Sequence, residues 1–265
     1  MIDYNTLIYA MSNDDYHAHP AVSSTQCKEL LKSPWLYSYN RDNPKEQTPS
    51  QAFGSLVHTI VLEIDSVESR YFVAKKPKRT TKEGKARYAE LLQECGERLW
   101  IDTDEWRKAV DMVYNLSQSV AGKLLLSGGN AEVATFWQDN KTRTHCRAKC
   151  DYINVEAGYM VDVKTTSSLA SEAGFRATVE KYQYHLSAAM YVDGFKRATG
   201  KDLDFYFVVL ESSQPYNFGI YKLGADLLAR GHALYREALS VYQLHSDTDN
   251  FKVPYNNGLL VELVA

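Results

Sequence analysis

The sequence has few cysteines and no long apolar run. Its four cysteines are Cys27, Cys95, Cys146 and Cys150. Only the last two are closely spaced, and a structural zinc site usually takes two such pairs, so the cysteine spacing does not predict a zinc site. No apolar stretch is long enough to span a membrane, and no secretory signal is visible. We therefore expect a cytoplasmic protein with reduced thiols and no membrane partner.

Positive charge is also not in excess. The formal net charge is −3 and the sequence pI is about 6.2. These values exclude a chain that coats nucleic acid through its bulk charge, so any contact with DNA has to come from local basic segments or bound metal ions. Hydrophobic residues make up 45% and charged residues 24% of the chain, which is ordinary globular usage and argues against a disordered chain.

The pattern of apolar residues predicts one domain, 1–265, of the α/β (α+β) class. Its helical N-terminal part covers about 20–126 and its sheet about 131–222, because helical spacing gives way there to alternating β-branched and aromatic residues. Predicted helices are 51–63, 86–99, 104–126, 169–181, 184–199 and 225–244. Predicted strands are 70–74, 131–137, 144–155, 158–166, 205–210 and 218–222. Helices flanking a central mixed sheet are the expected architecture.

Two aspartates are expected to face each other in a hairpin of this sheet. Asp151 and Asp162 are equally distant from a turn centred on Glu156 and Ala157, and opposed side chains have Cβ atoms about 5 Å apart. Two such carboxylates repel unless one is protonated or a cation lies between them. Mg²⁺ suits two carboxylates with water and phosphate oxygens. Lys164 points to the same face as Asp162.

The pattern Asp-x-Lys is common on solvated surfaces. Taken alone it favours a hairpin with exposed charges, and the aligned aspartates and the apolar residues 159–161 are what favour a metal site. A basic segment at 75–87 is read either as a solvated loop or as a path for a phosphate backbone. Its candidate DNA-binding residues are Lys75, Lys76, Lys78, Arg79 and Lys82. Arg147 and Lys149 alternate with Asp151 and are expected to add positive charge to the same face.

Four segments in order resemble a known family. They are VSSTQCKELLKSPWLYSYN (22–40), GSLVHTIVLE (54–63), DVKTT (162–166) and YHLSAAMYVDGF (184–195). DVKTT after an aspartate on the preceding strand resembles the motif of the PD-(D/E)XK nuclease superfamily. The four segments together resemble its RecE type, exodeoxyribonuclease VIII and the related recombination enzymes of phages and prophages.

The resemblance implies a metal site with a catalytic lysine. Its ligands would be the side chains of His58, Asp151 and Asp162 and the carbonyl of Val163, and its lysine would be Lys164. The implied cofactor is Mg²⁺, for which Mn²⁺ can substitute. Without the resemblance, a histidine such as His58 is more often an ordinary core or surface residue.

Further roles at the site are implied by the same resemblance. The resemblance implies that Glu132 holds a metal-bound water; the alternative is that Glu132 is an ordinary surface glutamate. Tyr191 would contact DNA or steady the lysine, or is a packing residue. Two departures stand out, since Cys150 replaces a proline and Ser187 replaces a glutamine. Gln183 lies four residues earlier and could supply that glutamine's contribution if both positions are helical.

The implied activity is 5′-to-3′ exonuclease action on double-stranded DNA with free ends. It would produce 3′ overhangs for a RecT-like annealing protein in DNA recombination and repair, and relatives suggest a ring-like homo-oligomer such as a tetramer. Three alternatives stay open: an endonuclease of the superfamily, a CRISPR-adaptation or repair nuclease, and a non-catalytic DNA-binding scaffold. No cysteine follows Cys150, which argues against the iron–sulfur branch of the second group, whereas Ser187 keeps the scaffold alternative open.

Overall fold

A five-stranded mixed sheet lies at the centre of the structure, a computed structural model that describes residues 3–248 and 250–263. The strands of this sheet are β3 (Asn130–Gln138), β4 (His145–Asn154), β5 (Tyr159–Thr166), β6 (Asp204–Glu211) and β7 (Phe218–Lys222). Two further strands, β1 (Tyr71–Val73) and β2 (Leu99–Ile101), pair with each other in parallel.

Eleven α-helices occur in the described residues. They are α1 (Asn13–Ala18), α2 (Ser24–Lys32), α3 (Pro34–Asp42), α4 (Pro49–Leu62), α5 (Val67–Arg70), α6 (Lys82–Cys95), α7 (Thr103–Ser117), α8 (Val120–Leu125), α9 (Glu172–Lys181), α10 (Tyr184–Thr199) and α11 (Ala225–Ser246). Within this part of the chain, none of the helices has the length and apolar character needed to span a membrane.

The central sheet has the strand order β3-β4-β5-β6-β7. Strands β3, β4 and β5 form an antiparallel meander, β6 runs parallel to β5, and β7 is antiparallel to β6. A parallel neighbour needs a crossover connection, and α9 and α10 supply it between β5 and β6. The mixed sheet with flanking helices confirms the predicted fold class.

Helices cover both faces of the sheet, so β6 is apolar on both sides. Phe205, Phe207 and Val209 belong to the core shared with α2, α10 and α11. Val208 and Leu210 belong to the opposite core, shared with α4 and α7. Alternation along a strand sends successive side chains to opposite faces, which explains why this strand reads as a nearly continuous hydrophobic run.

The first half of the chain departs from the prediction in three places, two of them at helix N-caps. The basic segment is irregular only up to Thr81, whose hydroxyl accepts the Gly84 N–H at 3.0 Å and starts α6 inside the segment. The predicted helix 104–126 is two helices, because Ser119 caps a new one through the Gly122 N–H. A side-chain oxygen at an N-cap satisfies backbone donors that would otherwise be orphaned.

The predicted helix 86–99 ends at Cys95, and its last predicted residue, Leu99, instead begins strand β2, which the sequence did not predict. Trp100 explains the change: its ring lies against Phe72 and Tyr88 at centroid distances of 5.9 and 5.0 Å, and its indole N–H donates to the Ala74 carbonyl at 2.9 Å. These contacts are tertiary and outweigh local helical preference.

Candidate active site

Helix α4 brings His58 to the sheet. Gly54 makes the approach possible, because a Cβ there would lie 3.3 Å from the Thr165 hydroxyl on β5. One turn later, the His58 Nδ1 atom is 3.6 Å from the Asp151 Oδ2 atom. The next residue, Thr59, shares a hydrogen bond of 3.2 Å with the Tyr71 hydroxyl, which ties the helix to β1. The helix is therefore anchored on both sides of the imidazole.

Strands β3 and β4 are both distorted where they carry an acidic residue. Their ladder pairs Val133 with Cys150 and resumes at Ala131, so the intervening Glu132 and Asp151 form no regular pair. Glu132 has a positive φ of 54°, a left-handed conformation that costs a non-glycine residue about 1–3 kcal/mol and concentrates at functional sites. Such a local break turns side chains away from the face that alternation predicts.

The distortion gathers three potential metal ligands. His58, Glu132 and Asp151 each offer one ligand atom, and these atoms all lie within 4.8 Å of one another. Burial, and then the positive charge of Lys164, lower the pKa of His58 below its usual value. The imidazole is therefore neutral near pH 7 and keeps a lone pair for a cation.

Asp162 and Lys164 form an ion pair beside these ligands. Asp162 is only 6% exposed, and its Oδ2 atom contacts the Lys164 ammonium. Burial would lower the pKa of Lys164, but Asp162 and Asp151 outweigh burial and raise that pKa above its usual value. Lys164 is consequently a cation here, which favours a role in stabilising negative charge over that of a general base.

Asp151 is the carboxylate of this cluster whose negative charge is not neutralised by a lysine or arginine partner. Burial, followed by repulsion from Asp162, raises the pKa of Asp151 from 3.8 to about 7. Its Oδ2 atom accepts the Val163 N–H at 2.7 Å. Glu132 is paired with Lys149 at 2.9 Å and Asp162 with Lys164, whereas among the described residues no lysine or arginine forms an ion pair with Asp151.

The donor set fits a divalent cation. Carboxylate oxygens and one imidazole are ligands that Mg²⁺ or Mn²⁺ accepts, and a cation would offset the repulsion between Asp151 and Asp162. The predicted hairpin register is confirmed at the pairs Tyr152–Val161 and Ile153–Met160, next to these two aspartates. The β4–β5 ladder ends at Tyr152–Val161, so Asp151 and Asp162 lie just beyond it and are not a ladder pair. The break in the β3–β4 ladder at Glu132 and Asp151 adds Glu132 to the cluster.

The structure corrects the prediction that Arg147 faces DNA. Its side chain is buried, with 5% of the residue exposed, and its guanidinium donates to the carbonyl oxygens of Tyr16, His17 and His19. Lys149 is similarly engaged, since it pairs with Glu132 and also donates to the Asn13 side chain at 2.7 Å. Both cations hold the N-terminal segment against β4, so neither presents free charge to a phosphate backbone.

Gln183 is not positioned as predicted. It precedes α10 with φ 50° and ψ 45°, a left-handed conformation, so it does not lie one helical turn before Ser187 on a common face. Tyr191 lies on α10 against Phe205, with ring centroids 6.3 Å apart, and burial raises its pKa well above its usual value. The charges of Asp162 and Asp151 also raise this pKa, so Tyr191 lies near the acidic residues of the site, and its role there stays a prediction.

The basic segment is only partly available for DNA. Lys75 is paired with Asp102 at 3.3 Å and with Asp104. The Arg79 guanidinium lies over the Tyr88 ring at 4.7 Å. The remaining candidates, Lys76, Lys78 and Lys82, are exposed on the loop and at the start of α6. Their contact with DNA stays a prediction.

Sequence reasoning missed two residues beside Lys164. The ammonium groups of Lys28 and Lys164 lie 5.4 and 5.3 Å from the ring centroid of Tyr184. Burial, and then repulsion from Lys164, lower the pKa of Lys28 to about 8. Both residues lie in segments that carried the family resemblance, but only the packing of α2 against α10 brings them together.

These features define a nuclease-like fold with a candidate metal site. Residues 23–251 match the family described as a PDDEXK-like domain of unknown function (DUF3799), and the chain belongs to that family. Its fold is that of the PD-(D/E)XK nucleases. A solved protein from Eubacterium rectale, described as a candidate exonuclease, matches with a TM-score of 0.62 at 12% identity over 97% of each chain. Among curated proteins no match is found.

Proposed function

We propose that this protein is a Mg²⁺-dependent exodeoxyribonuclease that hydrolyses phosphodiester bonds from the free ends of double-stranded DNA. The observation that carries the proposal is the uncompensated carboxylate of Asp151, held beside His58 and Glu132 and next to the ion pair of Asp162 with Lys164. Neighbouring buried carboxylates of this kind are suited to bind a divalent cation, and the bound cation can in turn bind a phosphate.

The residues of the chain have separable tasks in this chemistry. A bound Mg²⁺ would lower the pKa of an attacking water and polarise the phosphate. His58, Asp151, Asp162 and Glu132 would hold the ion, with the Val163 carbonyl as a further ligand. Lys164 would stabilise the charge that develops on the phosphate, because its ammonium is kept protonated and in place by Asp162.

Exonuclease action with 5′-to-3′ polarity is part of the same proposal. It is supported by the resemblance of four segments to RecE-type enzymes and by the fold shared with the Eubacterium rectale protein described as a candidate exonuclease. We propose by the same argument that the 3′ overhangs are passed to a RecT-like annealing protein, and that the enzyme acts as a ring-shaped homo-oligomer, such as a tetramer. Mn²⁺ is expected to replace Mg²⁺ in the assay.

The experiment compares linear duplex DNA with covalently closed circular DNA, each with Mg²⁺ and with EDTA. Loss of linear DNA alone, only with Mg²⁺, is the expected result, and strands labelled at one 5′ or one 3′ end then report the polarity. Cleavage of closed circles would instead identify an endonuclease. Binding without cleavage of either form would identify a scaffold, and either result would refute the exonuclease proposal.

A further inference from the structure

An aromatic pair extends from the catalytic lysine to the protein surface. The Tyr182 and Tyr184 rings are stacked, with centroids 5.7 Å apart and planes inclined by 22°. Tyr184 is half-buried and rests on Phe175 and Phe207 in the core, whereas Tyr182 is 50% exposed. The left-handed backbone of Gln183 joins them. The inner ring is thus fixed by packing, and the outer ring offers aromatic surface to a ligand.

Lys28 adds an unneutralised cation to this pair. Its ammonium lies over the Tyr184 ring, as that of Lys164 does, and no carboxylate in the described parts of the chain forms an ion pair with it. Lys164, by contrast, has Asp162 as its partner. A partly buried ammonium without a counter-ion in the protein is costly, so an anion is the expected partner of Lys28.

We propose that Lys28, Tyr182 and Tyr184 form a subsite for one unpaired nucleotide of the DNA strand beside the catalytic site. Its phosphate would bind the Lys28 ammonium and its base would stack on the Tyr182 ring. The inference rests on the proposed nuclease function, which it deepens by naming residues that hold the strand. Base stacking on an aromatic ring does not depend on sequence, as a nuclease that advances along any DNA requires.

Lys181 is consistent with this subsite. Its ammonium lies 5.2 Å from the centroid of the Tyr182 ring, and its side chain is exposed at the end of α9. A flexible lysine in this position can leave the ring and contact a neighbouring phosphate when a base takes its place. Two cations and one exposed ring then match the alternation of phosphate and base in a single strand.

The first test measures binding of a fluorescein-labelled oligothymidylate in EDTA, so that no cleavage is needed. Tyr182→Leu should weaken binding about 5- to 150-fold, the range found for loss of one stacked base, and Tyr182→Trp should restore it. Lys28→Met should weaken binding and lower the slope of log affinity against log salt by about 0.7. The matched controls are Tyr114→Leu, an exposed tyrosine on α7, and Lys32→Met, an exposed lysine on α2.

The second test places a single abasic nucleotide at successive positions from the end of the degraded strand. For each substrate, the cleavage rate of Tyr182→Leu is compared with that of wild type. The variant should be slower at every abasic position except one, where the missing base already removes the stacking contact in both proteins. Equal binding by wild type and Tyr182→Leu, or the same slowing at every abasic position, would overturn the subsite. A wild type that binds through Tyr182 but cleaves nothing would refute the nuclease function and leave the subsite standing.

Discussion

Replacing Asp151 with asparagine should stabilise the metal-free protein at alkaline pH. Burial and the neighbouring Asp162 raise the pKa of Asp151 from 3.8 to about 7, and one pKa unit corresponds to about 1.4 kcal/mol. The interval therefore sets an upper limit of about 4 kcal/mol on the stability that the wild-type protein loses at pH 8 through ionisation of Asp151. We expect about 1–3 kcal/mol for Asp151→Asn, because the new amide also needs a partner in a buried site.

The pH dependence follows from the direction of the shift. The folded protein holds the Asp151 proton more tightly than the unfolded chain does, so this contribution to stability is complete below about pH 4. It is lost as the pH rises from about 4 through about 7. Wild type and Asp151→Asn should therefore differ little at pH 4 and most at pH 8, with the variant the more stable of the two.

The assay is denaturation by urea at several pH values, with EDTA and with saturating Mg²⁺. Mg²⁺ should stabilise wild type through binding to the folded state and should do so much less for Asp151→Asn. The control is Asp202→Asn, an exposed carboxylate paired with Lys196, which should change stability by less than about 0.5 kcal/mol. A variant less stable than wild type in EDTA at pH 8 would refute the reasoning.

Three more predictions follow from the charges at and around the site. In calorimetric titrations, Mn²⁺ affinity should rise about tenfold between pH 6 and pH 8, as Asp151 loses its proton near pH 7; a flat profile would contradict this. Arg147→Met should lower the free energy of unfolding by about 2–4 kcal/mol, because carbonyl oxygens lose their donor; an unchanged urea midpoint would count against it. The double variant Lys78→Ala with Lys82→Ala should reduce the salt slope of duplex binding by about 1.8, whereas an unchanged slope would mean that these residues do not touch DNA.

The fold and part of the site could be predicted because they depend on local patterns. Strand β7 and helix α10 have the predicted boundaries, since alternation and helical spacing are legible within a few residues. The register of the β4–β5 hairpin follows from its short turn, and it brings Asp151 and Asp162 to neighbouring positions. These steps involve residues close in sequence.

The rest of the site depends on contacts between distant segments. The left-handed Glu132 has no sequence signal, because it is held by the surrounding sheet and not by its own preference. Alternation along β4 predicts that Arg147 lies on the same face as Asp151 and is free to bind DNA, yet the N-terminal segment covers it. Lys28 reaches the site only because α2 packs against α10 and α11. Alternation along a strand therefore predicts the direction of its side chains, but it does not predict which distant segment of the chain packs over them.

The most direct test of the central claim is the rate of linear-duplex cleavage by wild type and by Asp162→Ala under single-turnover conditions with Mg²⁺. Asp162 is proposed both to hold the metal ion and to position Lys164. The account predicts that wild type degrades the DNA and that the variant, folded by circular dichroism, is at least about 100-fold slower. Equal rates for the two proteins would show that this buried cluster is not the site of cleavage.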